Sequence, residues 1–431
     1  IGNYLYIGTE NLKIPYWFMN SQDFINLFKA SEKSQAPVLN DAFLYARNKQ
    51  RRETVDNINE VLEDAKKYFN ALRDKYPDRD PEQTYKYIKE EKRIEEKIKE
   101  FIMGREDSST ESPEVNLPID ADSPHYFELE KFIPEYLEDA MRVESKIDKR
   151  VKEYCSLMIL RIERYFKDPR FKFLFDTFPE HPNSLALFLR FILGRMEKAS
   201  FSEEDDFVNN EKLYFKKYLE EYKNKQNHQI VIIDLSLLAS EILENITALI
   251  GRLIIEFLQR VAKENKDLRG KFPVVLVLEE AHNYIPEKTK GDRESVSKII
   301  FERIAREGRK FGLSLVISSQ RPSELSRTVL SQCNSFIIHR IQNPEDQQYI
   351  KSIVPSVNQD LLEQLPILAQ QTALTFGDCV RSPALVKIRE ANPLPQSDDP
   401  KFFRHWIGEV GPEEPPFEDV CSKWEGGESE T

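Results

Sequence analysis

The chain has 431 residues, enough for two or three domains at roughly 150 each. Its 62 Lys and Arg against 74 Asp and Glu leave a net charge of −12, so there is no general basic surface for loose polyanion binding, although a narrow basic pore inside an acidic shell is compatible with that balance. With 40% apolar and 11% aromatic residues and only 14 Gly, a disordered, collagen-like or low-complexity chain is excluded.

Residues 1–49 mix short apolar runs with turns and end in a helix-compatible stretch from Ser21 to Arg47. From Gln50 the chain turns rich in Glu, Lys and Arg, and Val55, Ile58, Leu62, Ala65 and Phe69 recur at the period of an amphipathic helix. The polar stretch 104–124 reads as a long surface loop, and further helices are expected between about 127 and 225, LALFLRFILGRM among them. At Gln229 the texture changes: QIVIIDLS reads as a buried parallel strand, followed by a helix in which Leu238, Ile242, Ile246, Leu249, Leu253 and Phe257 share a face. PVVLVLEEAH (273–282), GLSLVISSQ (312–320) and NSFIIHRI (334–341) are three more strands, and QTALTFGD with PALVKIRE forms a closing hairpin. Strands alternating with helices predict an α/β fold with an open, mostly parallel sheet covered on both faces. The expected organisation is a first core part (1–49), a helical insertion (50–228), the main core (229–392) and an extended, polar C-terminal arm (393–431).

The amino terminus lacks a basic start followed by an apolar stretch, and the longest apolar runs fall far short of the ~20 residues of a membrane span, so a cytoplasmic protein without membrane attachment is expected. Cys155, Cys333, Cys379 and Cys421 lie at least forty residues apart, which fits neither a CxxC metal site nor a disulfide framework. The six histidines show no paired-ligand spacing, and neither a GxSxG elbow nor a GxGxxG loop is present.

Two adjacent acids, Glu279 and Glu280, close a strand at the end where open α/β sheets bind ligands. Side by side they repel unless positive charge is supplied. On one reading a nucleotide-bound Mg²⁺ supplies it, Glu279 holding the ion's water shell and Glu280 orienting or deprotonating a water. On the other, the strand has ended and both acids are solvated. Arg303, Arg306 and Arg309, three apart on one helix, form either a basic row facing a phosphate site or ordinary ion pairs with Glu302 and Glu307. SSQRP (318–322) puts Gln320 beside the acids as a sensor of the γ-phosphate or water, and His282 either orients Glu280 or is structural. Lys288, Lys290 and Arg293, in the loop after the acids, either grip DNA phosphates or are simply solvated.

LVLEEAHNYIP and ERIAREGRKFGLSLVISSQRPSELSRTVLSQCNSFIIHRIQNPEDQQYI closely resemble the HerA family of hexameric DNA translocases, of the FtsK/HerA group, and KIPYWFMNSQDFINLF and VIIDLS also look like that family. The resemblance is dense over 229–392, fair over 1–49 and weak across the insertion. It implies a RecA-like ATPase core using ATP and Mg²⁺, a homohexameric ring around double-stranded DNA, and a partner: a NurA-type nuclease, or a defence effector such as a nuclease or a sirtuin-like subunit. It implies Glu280 as the catalytic Walker B glutamate, Glu279 on the metal side, Gln320 as sensor, and one of Arg303, Arg306 and Arg309, Arg309 by preference, as the arginine finger acting in trans. The family's GxxxxGK[ST] phosphate loop is absent from the sequence. The economical expectation is that the chain is the carboxyl-terminal part of a longer protein. The competing one is a relative that does not hold ATP, which leaves a ring-forming scaffold for a partner enzyme as the alternative function.

Overall fold

The structure, a computed structural model, describes residues 4–9, 12–48, 122–143, 146–147, 149–175, 184–196, 227–287, 295–353, 359–392, 402–409 and 414–424. The chain forms two compact units, Ile1–Cys333 and Asn334–Thr431. The helix read from Val55 to Phe69 and the loop of 104–121 lie outside the described residues, as does the expected boundary at 393.

In the first unit, β1 (Tyr4–Ile7) pairs in parallel with β2 (Ile230–Ile233), Tyr4 opposite Ile230 and Ile7 opposite Ile233. More than 200 positions therefore separate two hydrogen-bonded neighbours, and the sheet draws the two ends of the intervening segment together. Between them, α1 (Ser21–Leu27) is closed by a reciprocal capping box, Asn20 with Asp23. It is followed by α2 (35–48). The rings of Phe24, Phe43, Phe127 and Phe132 pack against one another, stacked, tilted or edge to face, at 4.2–6.4 Å. That aromatic core fastens α1 and α2 to the residues beyond 122, including α3 (Lys149–Lys167) through Tyr165 and Phe166. The short α4 (Ser184–Ile192) is apolar and buried along most of its length.

The long helix α5 (Ser240–Glu264) buries Ile242, Ile246, Leu249 and Leu253 of the predicted face, and also Ile250, Ile254, Ile255 and Leu258, whereas Leu238 precedes the helix and Phe257 is only half-buried. Its middle is thus buried nearly all round. Gly251 lets it approach α6 (Val296–Glu307), since a Cβ there would sit 3.3 Å from both Ile300 and Phe301. At its other side Arg252 donates to Asp23 Oδ2 at 2.6 Å and to Phe18 O at 2.8 Å, a buried tie from α5 to α1. Burial pushes the Asp23 carboxyl up despite the pull of Arg252.

β3 (Val274–Leu278) and β4 (Leu313–Ile317) pair in parallel with Val274 opposite Leu313. Gly312, at φ +82°, makes the sharp entry into β4. The expectation of one open sheet covered on both faces is met only in part. β1–β2 and β3–β4 are separate two-stranded parallel sheets among the described residues. Each keeps one face open: Val275 and Val277, read as doubly buried, are 58% exposed, because α6 packs on β4 from one side only.

The second unit departs further from a parallel sheet. β5 (Ser335–Ile338) pairs antiparallel with β6 (Thr372–Gly377), which pairs antiparallel with β7 (Ala384–Lys387). The β6–β7 link is too short for the crossover a parallel neighbour requires, so the expected hairpin forms. Ile338, Ile350, Leu362, Leu365, Leu374 and Phe376 make this unit's core, with Phe336 stacked on Phe376 at 5.0 Å. The helices α7 (Phe402–Trp406) and α8 (Phe417–Trp424) leave Phe402, Phe403, Trp406, Phe417 and Val420 exposed.

Candidate active site

The parallel ladder of β3 and β4 continues past both strands. Ser318 N–H donates to Leu278 O and Ala281 N–H donates to Ser318 O, each at 2.9 Å. The second bond pins the turn that carries the acid pair. Within it Glu280 adopts φ 48°, ψ 48°, the left-handed region that a non-glycine residue enters at a cost of about 1–3 kcal/mol. Strain of this kind persists where surrounding contacts over-determine it, and here they do.

The Glu280 carboxylate has a polar neighbour at each oxygen. Gln320 Nε2 donates to Oε1 at 2.9 Å, and His282 Nδ1 lies 3.4 Å from Oε2. His282 Nδ1 is also 3.1 Å from Ser319 Oγ, which accepts the Arg321 N–H at 3.0 Å. Two hydrogen-bonded pairs, Glu280 with Gln320 and His282 with Ser319, thus meet across the two strand ends, with His282 Nδ1 3.4 Å from the Glu280 carboxylate. Glu279, the first acid, is exposed on the same turn.

Sequence reasoning passes over Asp234, which ends β2 as the acid pair ends β3. Tyr6 Oη donates to its Oδ2 at 2.5 Å and Ser236 N–H to its Oδ1 at 2.9 Å, and these bonds hold the carboxyl below the usual aspartate range. Burial pushes the Tyr284 phenol up, and the charges of Asp234, Glu279 and Glu280 push it further, so Asp234 lies within electrostatic reach of the same tyrosine as the acid pair. The signal was the apolar run IVII ending in an acid, the rule already applied to Glu279.

The three arginines separate by environment. Arg303 donates to Gln259 Oε1 on α5 at 2.9 Å and pairs with Glu307 at 3.7 Å. Arg306 pairs with Glu302 at 3.5 Å, whose other oxygen accepts Ser326 Oγ at 2.6 Å. Arg309, on the turn after α6, is exposed, and its guanidinium has no hydrogen bond or ion pair among the described residues. Lys288, Lys290 and Arg293 lie outside the described residues. The loop's flanks are firm: Glu287 N–H donates to Glu324 O at 2.7 Å, and Arg327 N–H to Glu287 Oε2 at 2.7 Å.

Among the described residues no group of three or more His, Cys, Asp or Glu is arranged to hold a metal ion alone. One exposed carboxylate at a strand end fits Mg²⁺ in its usual manner, with waters and phosphate oxygens completing the shell. Among the described residues, no helix is long and apolar enough to cross a membrane.

Residues 2–129 match the family model for the central domain of helicase HerA. The chain is 32% identical over 233 residues to the DNA double-strand break repair helicase HerA of Saccharolobus solfataricus, covering 49% of this chain and 43% of that one. It is 38% identical over 147 residues to the protein of that name from Sulfurisphaera tokodaii (33% and 29% covered), and 41% over 117 residues to that from Pyrococcus furiosus (27% and 20%). The chain thus spans less than half the length of these relatives. Among solved structures it is similar to the genome packaging NTPase B204 of Sulfolobus turreted icosahedral virus 2, at 17% identity and a TM-score of 0.27 over 38% of this chain and 68% of that one. That overlap is too limited to speak to topology. The family match and the curated relatives agree, and over the matched residues the chain is similar to HerA helicases.

Proposed function

We propose that the chain is part of an ATP-dependent double-stranded DNA translocase of the HerA type. In this reading it works as a homohexameric ring and serves a partner enzyme, either a NurA-type nuclease or, in defence, an effector nuclease or sirtuin-like subunit. The observation that carries the reading is the Glu280–Gln320 contact of 2.9 Å at the ends of two parallel strands, with Glu280 in a left-handed backbone. A strained acid beside an amide donor at a strand end is suited to placing a water against a phosphate.

The Mg²⁺ of Mg-ATP, when bound, would supply positive charge beside Glu279 and Glu280. Glu279 would reach the ion through water. Glu280 would orient the attacking water and accept its proton. Gln320 would donate to the γ-phosphate or the water. Arg309 would offset developing charge at the site of the next subunit, a role supported by its exposed, unpaired guanidinium among the described residues. Lys288, Lys290 and Arg293 would grip DNA phosphates without reading sequence. The exposed Phe402, Phe403 and Trp406 support an arm that braces a neighbouring subunit, since large apolar groups left in water mark contact surfaces.

Glu280→Gln tests the site. Removing a general base costs about 10²–10⁴-fold in turnover, so hydrolysis should fall by that much while ATP binding persists. Unchanged hydrolysis overturns the assignment.

A further inference from the structure

We infer that His282 is a positioning residue for Glu280: it fixes one carboxylate oxygen, while Gln320 holds the other through a contact that can be exchanged. The inference rests on the ATPase reading and adds a division of labour within its site. His282 is itself well anchored, its side chain only 16% exposed against 43% for Glu280. Its Nδ1 faces both Glu280 Oε2, at 3.4 Å, and Ser319 Oγ, at 3.1 Å. Two proton arrangements are open to such a nitrogen. With the proton on Nδ1, the ring donates toward the carboxylate and the hydroxyl together. With the proton on Nε2 alone, Nδ1 accepts from Ser319 and turns a lone pair toward a negative oxygen. The adjacent carboxylate favours the first arrangement.

The two donors come from different places. His282 lies two residues along the chain from Glu280, in the short helix Ala281–Asn283, and moves with the turn. Gln320 projects from the neighbouring strand end, where a phosphate would compete for its amide. A carboxylate engaged on both oxygens is a poor proton acceptor. Turning the Gln320 amide to a phosphate frees Oε1 for the water, and His282 keeps Oε2, and hence the plane of the carboxylate, where it was. Misplacing a reacting group by about 1 Å costs on the order of 10²-fold, which sets the scale of the loss expected without His282.

The test is steady-state Mg-ATP hydrolysis by the intact protein carrying His282→Ala, His282→Asn or His282→Asp, with the thermal midpoint of each. An Asn amide nitrogen stands near the position of Nδ1 and donates; an Asp of nearly the same shape is an acceptor only. Expected are a kcat lowered about 10- to 100-fold in His282→Ala and His282→Asp, with KM for ATP within about threefold, and recovery to within about threefold of wild type in His282→Asn. Should His282→Ala not fold, the Asn and Asp variants carry the same comparison. Wild-type kcat in His282→Asp, equal losses in Asn and Asp, or a loss confined to KM overturns the inference while leaving the ATPase reading in place. A wild-type protein without ATP hydrolysis overturns both.

Discussion

At the scale of the residue, hydrogen bonds decide which acids are held and which are merely present. Glu280 has an amide donor on one oxygen and the His282 ring 3.4 Å from the other, whereas Glu279 is exposed. Asp234 has two donors of its own, and the bond from Tyr6 is the largest cause of its lowered pKa. A carboxyl depressed in the folded state adds stability that is complete above the ordinary aspartate value of about 3.9 and is lost as pH falls through the folded value. Tyr6→Phe should therefore raise the Asp234 pKa toward that ordinary value, a shift read by NMR titration of the carboxyl, and should shrink the acid-side loss of stability. An unmoved titration contradicts the assigned cause. The Glu280–Gln320 pairing is legible in the sequence because two apolar runs ending in polar residues must, if adjacent and parallel, bring those ends together. The left-handed backbone of Glu280 is not, because the residue type favours no such conformation and contacts from the neighbouring strand, the Ala281–Ser318 bond among them, hold it there.

At the scale of the element, β2 to β7 and α5 are legible from β-branched runs and from the 3.6-residue period of Ile242, Ile246, Leu249 and Leu253, whereas β1 is not. Their coverage is not. VVLVL reads as doubly buried, yet Val275 and Val277 remain exposed, since a run of apolar residues records what a face tolerates and not what packs on it. The pairing of β1 with β2 is equally hidden, as no local pattern specifies a neighbour more than 200 positions away. The tie that holds these distant parts is the buried Arg252–Asp23 pair. Removing one partner of a buried pair leaves the other charge uncompensated, so Arg252→Ala should cost about 3–5 kcal/mol. Chemical denaturation reads this directly, and a loss below about 1 kcal/mol would show that the helices hold without the pair.

At the scale of the whole molecule, the proposed ring makes Arg309 a residue that works on a neighbour's site. An arginine of this kind is worth about 10³–10⁵-fold in rate, so Arg309→Ala should hydrolyse ATP at least about 10³-fold more slowly than wild type. Mixed with wild type, it should depress activity beyond simple dilution, because each mutant subunit disables the site next to it. Activity that falls only in proportion to the wild-type fraction argues against action between subunits. In the proposed function the Glu280 turn hydrolyses ATP in response to DNA. The most direct test is the ATP hydrolysis rate of the intact protein, titrated with double-stranded DNA, in wild type and in Glu280→Gln. The expected result is a rate that rises with DNA in the wild type and a flat rate, about 10²–10⁴-fold lower, in a variant that still binds ATP. A rate that ignores DNA, or one that survives the substitution, contradicts it.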